Sequence, residues 1–108
     1  FLGMRIDIKR RQTVVAAGAG GFSGRAIFPI AVRMVNQVSK ACSIPIMGCG
    51  GVASAEDVIE MMMAGANAVQ IGAENIRNPF VCKEIVEALP SLMDSLGINS
   101  LSEITGIV

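Results

Sequence analysis

Two glycine clusters sit directly behind short apolar runs: Gly48-Cys49-Gly50-Gly51 follows residues 44–47, and Gly72-Ala73 follows residues 68–71. Where such runs are strands feeding helices, the missing side chains let backbone N–H groups converge on an anion close to a helix N-terminus. That is phosphate-binding chemistry. The same spacing has a plainer use, because glycine is common wherever a strand must turn tightly into a helix. A third cluster, Gly18-Ala19-Gly20-Gly21-Phe22-Ser23-Gly24, is too glycine-rich for a regular element and reads as a loop whose backbone can approach a ligand closely.

The other reactive residue types offer less. Cys42, Cys49 and Cys82 are odd in number, show no CxxC spacing, and occur in a chain without histidine, so neither a zinc site nor a stapled secreted scaffold is expected. Reduced thiols in a cytoplasmic protein fit better. Cys49 lies among strand-end glycines but has no evident basic partner to favour a thiolate, and a small buried filler is the expected role. Cys42 and Cys82 fall on apolar helix stripes and are expected in the core. Met61-Met62-Met63 reads as core or subunit packing, and Lys9-Arg10-Arg11 as a solvated turn.

The elements that must position these residues follow from periodicity. Residues 4–9 alternate apolar and polar and residues 13–17 are a second β-prone run, together a hairpin. Pro29 suits a first helical turn, and Ala31, Met34, Val35, Val38, Ala41 and Cys42 recur on one helical face ending near Cys42. Residues 44–48 read as a strand buried on both faces, with Pro45 at its start. Ser54 and Asp57 form a capping box for a helix carrying Ala55, Val58, Ile59, Met62 and Ala66, which Gly65 terminates. Residues 68–72 make another strand. Asn78-Pro79 then opens a helix with a stripe through Cys82, Ile85, Val86, Leu89, Met93 and Leu96, which Pro90 should kink or divide and Gly97 should stop. Ser100 and Glu103 predict a second capping box. Hairpin, helix, strand, helix, strand, helix is the alternation of a parallel α/β protein.

Nine basic and nine acidic residues cancel, so no overall field draws nucleic acid or an anionic membrane. No apolar run reaches the roughly 18 residues of a membrane span. The chain is 52% hydrophobic with a mean hydropathy of +0.57, which excludes disorder and is oily enough to suggest that apolar surface needs cover from elsewhere. A start at Phe1 in place of Met points to a cut or incomplete chain.

Taken together the motifs identify a family. Gly20-Gly21-Phe22-Ser23-Gly24, Ala26-Ile27, Pro29-Ile30-Ala31 and Arg33-Met34-Val35 resemble the segment GGLSGPAIKPIALRMV of class 1 dihydroorotate dehydrogenases. Ile44-Pro45-Ile46 through Gly50-Gly51-Val52, with Ser54-Ala55-Glu56-Asp57 and Met63-Ala64-Gly65-Ala66, is similar to the next strand and helix of that family. Val69-Gln70-Ile71-Gly72 and Glu103-Ile104-Thr105-Gly106 are similar to the family's C-terminal end. The NAD-linked branch, whose catalytic subunit works with an iron-sulfur and FAD electron-transfer subunit, is the most similar.

The resemblance implies the C-terminal portion of a TIM (β/α)8 barrel, preceded by a β-hairpin and incomplete, because eight strands need about 250 residues. It implies FMN as cofactor, the oxidation of dihydroorotate to orotate in pyrimidine synthesis, a homo-oligomer, and residues 1–108 as one partial domain. By position, Gly50, Gly51, Gly72 and Ala73 would hold the FMN phosphate through backbone N–H groups, and Ser23 and Gly24 would lie against the flavin or the substrate. Four sites depart from the pattern: Arg25 stands where the family usually has Pro, Phe28 where it has Lys, Ala73 where a hydroxyl residue is common, and Gly18-Ala19 where a more polar pair precedes the double glycine. The family's general-base cysteine, orotate-binding asparagines and flavin-contacting lysine all correspond to positions before Phe1, so no catalytic residue is assigned and no turnover is expected of these 108 residues alone. Two alternatives are a dihydropyrimidine dehydrogenase-like flavoenzyme fragment and a non-catalytic remnant that oligomerises through its exposed apolar faces.

Overall fold

The computed structural model describes the whole chain, Phe1–Val108. Its centre is a pair of short parallel strands, β5 (Met47–Cys49) and β6 (Ala68–Gln70), in register Met47↔Ala68, Gly48↔Val69 and Cys49↔Gln70. The crossover between them is α2 (Ala55–Met63). The helix α1 (Phe28–Ala41) precedes β5, while α3 (Glu74–Arg77) and α4 (Val81–Leu96) follow β6. This is an α/β arrangement with partial sheets.

Each helix is bounded for a physical reason. Pro29 occupies the first turn of α1, where its missing N–H costs nothing. The Ser54 side chain accepts from the Asp57 amide while the Asp57 carboxylate accepts from the Ser54 amide, a complete capping box at the start of α2. Gly65 follows α2 at φ 125°, and Gly97 closes α4 in the left-handed region at φ 69°.

One cluster of 15 buried residues forms the core, running from Phe28 to Ile104 and drawn mainly from the inner faces of α1, α2 and α4. Met61 is its most enclosed large side chain, fully buried, although the sequence stripe passes through Met62 instead. Both methionines are in the core.

Nothing before Phe28 joins that cluster. The first 21 residues form an arm in which β1 (Leu2–Gly3) pairs with β4 (Gly20–Gly21) and β2 (Ile6–Asp7) with β3 (Gln12–Thr13), both antiparallel. Each ladder has only two residue pairs, shorter than the alternation of residues 4–9 and 13–17 suggests. Leu2, Met4, Ile6 and Ile8 remain exposed because no layer packs on the arm. The arm contributes to a radius of gyration of 16.6 Å, against about 13 Å for a compact chain of this length.

Several expectations are corrected. The glycine cluster read wholly as a loop contains strand β4, since a backbone ladder needs no side chains. Strand β5 starts three residues later than expected, and it is not buried on both faces: Gly48 is buried but Met47 and Cys49 are exposed. All three cysteines are exposed, so none is a core filler. Of the two outcomes expected at Pro90, division does not occur, because α4 runs through it as one helix. Ser100 accepts from the Ser102 amide, and Glu103 accepts from Asn99, so the second reciprocal box does not form.

Candidate phosphate-binding site

Because β5 and β6 are parallel neighbours, their carboxyl ends lie on one edge. Gly50 and Gly51 follow directly after Cys49, and Gly72 and Ala73 follow Gln70 by two residues, so both loops leave that edge side by side, about 4.8 Å apart at the strands. None of the amides of Gly50, Gly51, Val52, Gly72 and Ala73 donates a hydrogen bond within the chain. Such amides can only be satisfied by water or by an acceptor from outside. An anion is the acceptor they suit best.

Conformation and space both require glycine in the first loop. Gly50 has φ 137° and Gly51 φ 72°, and a Cβ on Gly50 would come within 2.7 Å of the Ala31 Cβ. A Cβ on Gly51 would come within 2.7 Å of the Gly24 carbonyl oxygen and 2.9 Å of the Phe28 amide nitrogen. The glycine segment before α1 and the loop after β5 are therefore in direct contact. Gly72 differs: it is exposed, it is outside the positive-φ set, and a Cβ there would meet nothing within 4 Å. The carbonyls of Gly72 and Ala73 start α3 by accepting from Asn75 and Ile76, at 3.0 and 3.1 Å.

Gly24, Gly50 and Gly51 are thus brought together, with Gly72 and Ala73 on the adjoining strand end. Ser23 is exposed beside Gly24, and its hydroxyl makes no hydrogen bond in the chain. At the N-terminus of α2 the Asp57 carboxylate accepts from the amides of Ala53 at 2.9 Å and Ser54 at 3.1 Å and the Ser54 hydroxyl accepts from the Asp57 amide, which leaves the first-turn amides of Ala55 and Glu56 free in addition to those of the glycine loops.

One contributor escapes sequence reasoning. Arg25 Nη1 forms an ion pair with buried Asp57 and donates to the Gly51 carbonyl at 3.2 Å, while its guanidinium lies 5.6 Å from the centroid of the Phe28 ring. An arginine behind a glycine run looks like ordinary solvated charge. The only local signal was the aspartate at the third position of the α2 capping box.

Residues 1–93 match the family model described as dihydroorotate dehydrogenase. The chain belongs to the dihydroorotate dehydrogenase family. It is 54% identical over 106 residues to the dihydroorotate dehydrogenase B (NAD(+)) catalytic subunit of Halalkalibacterium halodurans, covering 98% of this chain and 35% of that protein. It is 56% identical to the corresponding subunit from a Geobacillus species, covering 98% of this chain and 34% of the relative. The chain therefore spans about a third of the length of the curated relatives it matches. A crystal structure of DHODH from Eimeria tenella in complex with ferulenol superimposes with a TM-score of 0.76 at 26% identity, over 82% of this chain and 24% of that one. The two adjacent strand ends and their glycine loops are thus features of a dihydroorotate dehydrogenase chain. No helix in it is long and apolar enough to cross a membrane.

Proposed function

We propose that this chain supplies the flavin-phosphate end of an FMN-dependent enzyme that oxidises dihydroorotate to orotate in pyrimidine synthesis, as one portion of a (β/α)8 barrel in the cytoplasm. The observation that carries this reading is the set of free amides at Gly50, Gly51, Val52, Gly72 and Ala73 on one strand edge, in a chain that shares more than half its residues with NAD-linked catalytic subunits. The donor set fits a phosphate: it is backbone, it lacks Cβ atoms at Gly50, Gly51 and Gly72, and no carboxylate occupies it. Arg25, the nearest cation, is balanced by Asp57.

When bound, FMN supplies the two-electron acceptor for the substrate's hydride. The residues present hold and orient. Gly50, Gly51, Gly72 and Ala73 anchor the phosphate through N–H groups, and the Gly24 turn sets one wall against the flavin or substrate, with Ser23 offering a hydroxyl there. No side chain in these 108 residues is assigned to proton abstraction. The exposed apolar side chains of the arm and of β5, among them Leu2, Ile6, Ile8 and Met47, are surfaces that further barrel elements or a second copy would cover. In the NAD-linked reading the complete enzyme also meets an iron-sulfur and FAD electron-transfer subunit.

The test is titration of the complete polypeptide carrying this sequence with FMN and with riboflavin, which has the same ring system and no phosphate. Flavin fluorescence reads both. Preference for FMN by about a hundredfold or more is expected from several charge-assisted amide hydrogen bonds. Equal affinity for the two flavins would remove the phosphate site.

A further inference from the structure

We propose that Arg25 is a positioning residue of the phosphate cradle, fixing the Gly50–Val52 turn so that its amides stay without a partner in the chain; the proposal rests on the phosphate-site reading above. A single guanidinium nitrogen ties three segments together. Arg25 follows the Gly24 turn, donates to the carbonyl of Gly51, and pairs with Asp57 at the start of α2. Asp57 is itself immobilised, since the same carboxylate oxygen accepts from the amides of Ala53 and Ser54. Its side chain is only 8% exposed, whereas that of Arg25 is 54% exposed, so the anchor is rigid and the cation spans its rim.

The consequence comes from peptide geometry. In a trans peptide the C=O and N–H vectors of one plane point in opposite directions, and the chain contains no cis peptide. Drawing the Gly51 carbonyl toward Arg25 therefore turns the Val52 N–H away from it, into the set of amides with no partner in the chain. Gly51 itself, at φ 72° and free of a Cβ, has many backbone states available and would otherwise sample them. Gly51 lies so near the Gly24 turn that an added Cβ would come within 2.7 Å of the Gly24 carbonyl oxygen, so a fixed Gly51 also bounds that turn. The proline usual at this position in the family would stiffen the turn but could not donate to Gly51 or reach Asp57.

The experiment measures FMN and riboflavin affinities of the complete polypeptide as wild type, Arg25→Ala and Arg25→Lys, with thermal melts of each. Arg25→Ala is expected to weaken FMN by about tenfold, the lower end of what an outer partner of a bound ion is worth, and to leave riboflavin unchanged. Arg25→Lys, which keeps the charge but not the planar fork, should fall between wild type and alanine. Should the alanine variant fail to fold, lysine decides alone: a selective loss of FMN affinity supports the proposal and an unchanged one overturns it. Equal losses for both flavins would mark a merely structural residue and overturn it. If wild type prefers FMN and Arg25→Ala binds it equally well, only this proposal falls; if wild type shows no preference, the phosphate site falls and takes the proposal with it.

Discussion

Glycine at the two strand ends does different work, and alanine substitution separates the two roles. At Gly51 the new Cβ would sit in the left-handed region, costing about 1–2 kcal/mol, and would press on the Gly24 carbonyl and Phe28 at 2.7–2.9 Å, costing about 1–3 kcal/mol more. Gly51→Ala should therefore destabilise the complete polypeptide by about 2–5 kcal/mol in urea unfolding. At Gly72 neither term applies: φ is not positive and nothing lies within 4 Å of the added methyl. Gly72→Ala should leave stability within about 0.5 kcal/mol of wild type. Its methyl would add bulk in open space beside the amides of Gly72 and Ala73, the proposed phosphate donors. Loss of one charge-assisted hydrogen bond there, about 1.5–3 kcal/mol, weakens FMN roughly 10- to 100-fold. Urea melts and FMN titrations on the same two variants make the comparison. A Gly72→Ala protein that loses stability by about 2 kcal/mol, or that binds FMN as wild type does, would refute the assignment of these two roles.

Three further substitutions test the scaffold that holds the loops. Ser54→Ala removes half of the α2 capping box and should cost about 1 kcal/mol in chemical denaturation. Met61→Ala empties the most enclosed core position and should cost about 2–5 kcal/mol; a loss below about 1 kcal/mol would mean that the core is not packed as described. Pro90→Ala restores a missing N–H within α4 and relieves a ring clash at an exposed position, and should raise the unfolding free energy by about 1–3 kcal/mol.

Elements whose side chains repeat with a clear period were legible in the sequence. The α1 and α2 boundaries agree within a residue or two with the stripe from Ala31 to Cys42 and with the Ser54–Asp57 box, because local capping and one buried face suffice to define them. Strand β4 was not legible, since Gly20 and Gly21 carry no pattern and pair through backbone alone. Helix α3 was missed for a related reason: four residues present no stripe, and Ala73 offers no capping side chain. Burial of Cys42, Cys49 and Cys82 was misjudged because an apolar stripe shows which face can be covered, not whether another layer covers it. Cys82 and Val86 lie on the α4 stripe yet remain exposed, while Val81 and Ile85, one residue earlier in each turn, are buried.

At Gly50 and Gly51 glycine is required by φ 137° and 72° and by the close approach of Ala31, Gly24 and Phe28, whereas Gly72 carries no such requirement, a distinction that glycine after an apolar run does not display in the sequence. What could not be read was how the two loops are held. Gly51 and Arg25 are 26 residues apart, and Arg25 and Asp57 are 32 apart; only the docking of α1 beside β5 and α2 brings them together. The carboxylate that caps α2 is thereby also the counter-ion of the arginine that restrains Gly51. Removing it would strip the amides of Ala53 and Ser54 of their acceptor and leave the Arg25 charge unpaired at once. The cap and the cradle therefore cannot be perturbed independently at Asp57, which is why the Arg25 and Gly72 substitutions, each touching one side of the arrangement, are the informative ones.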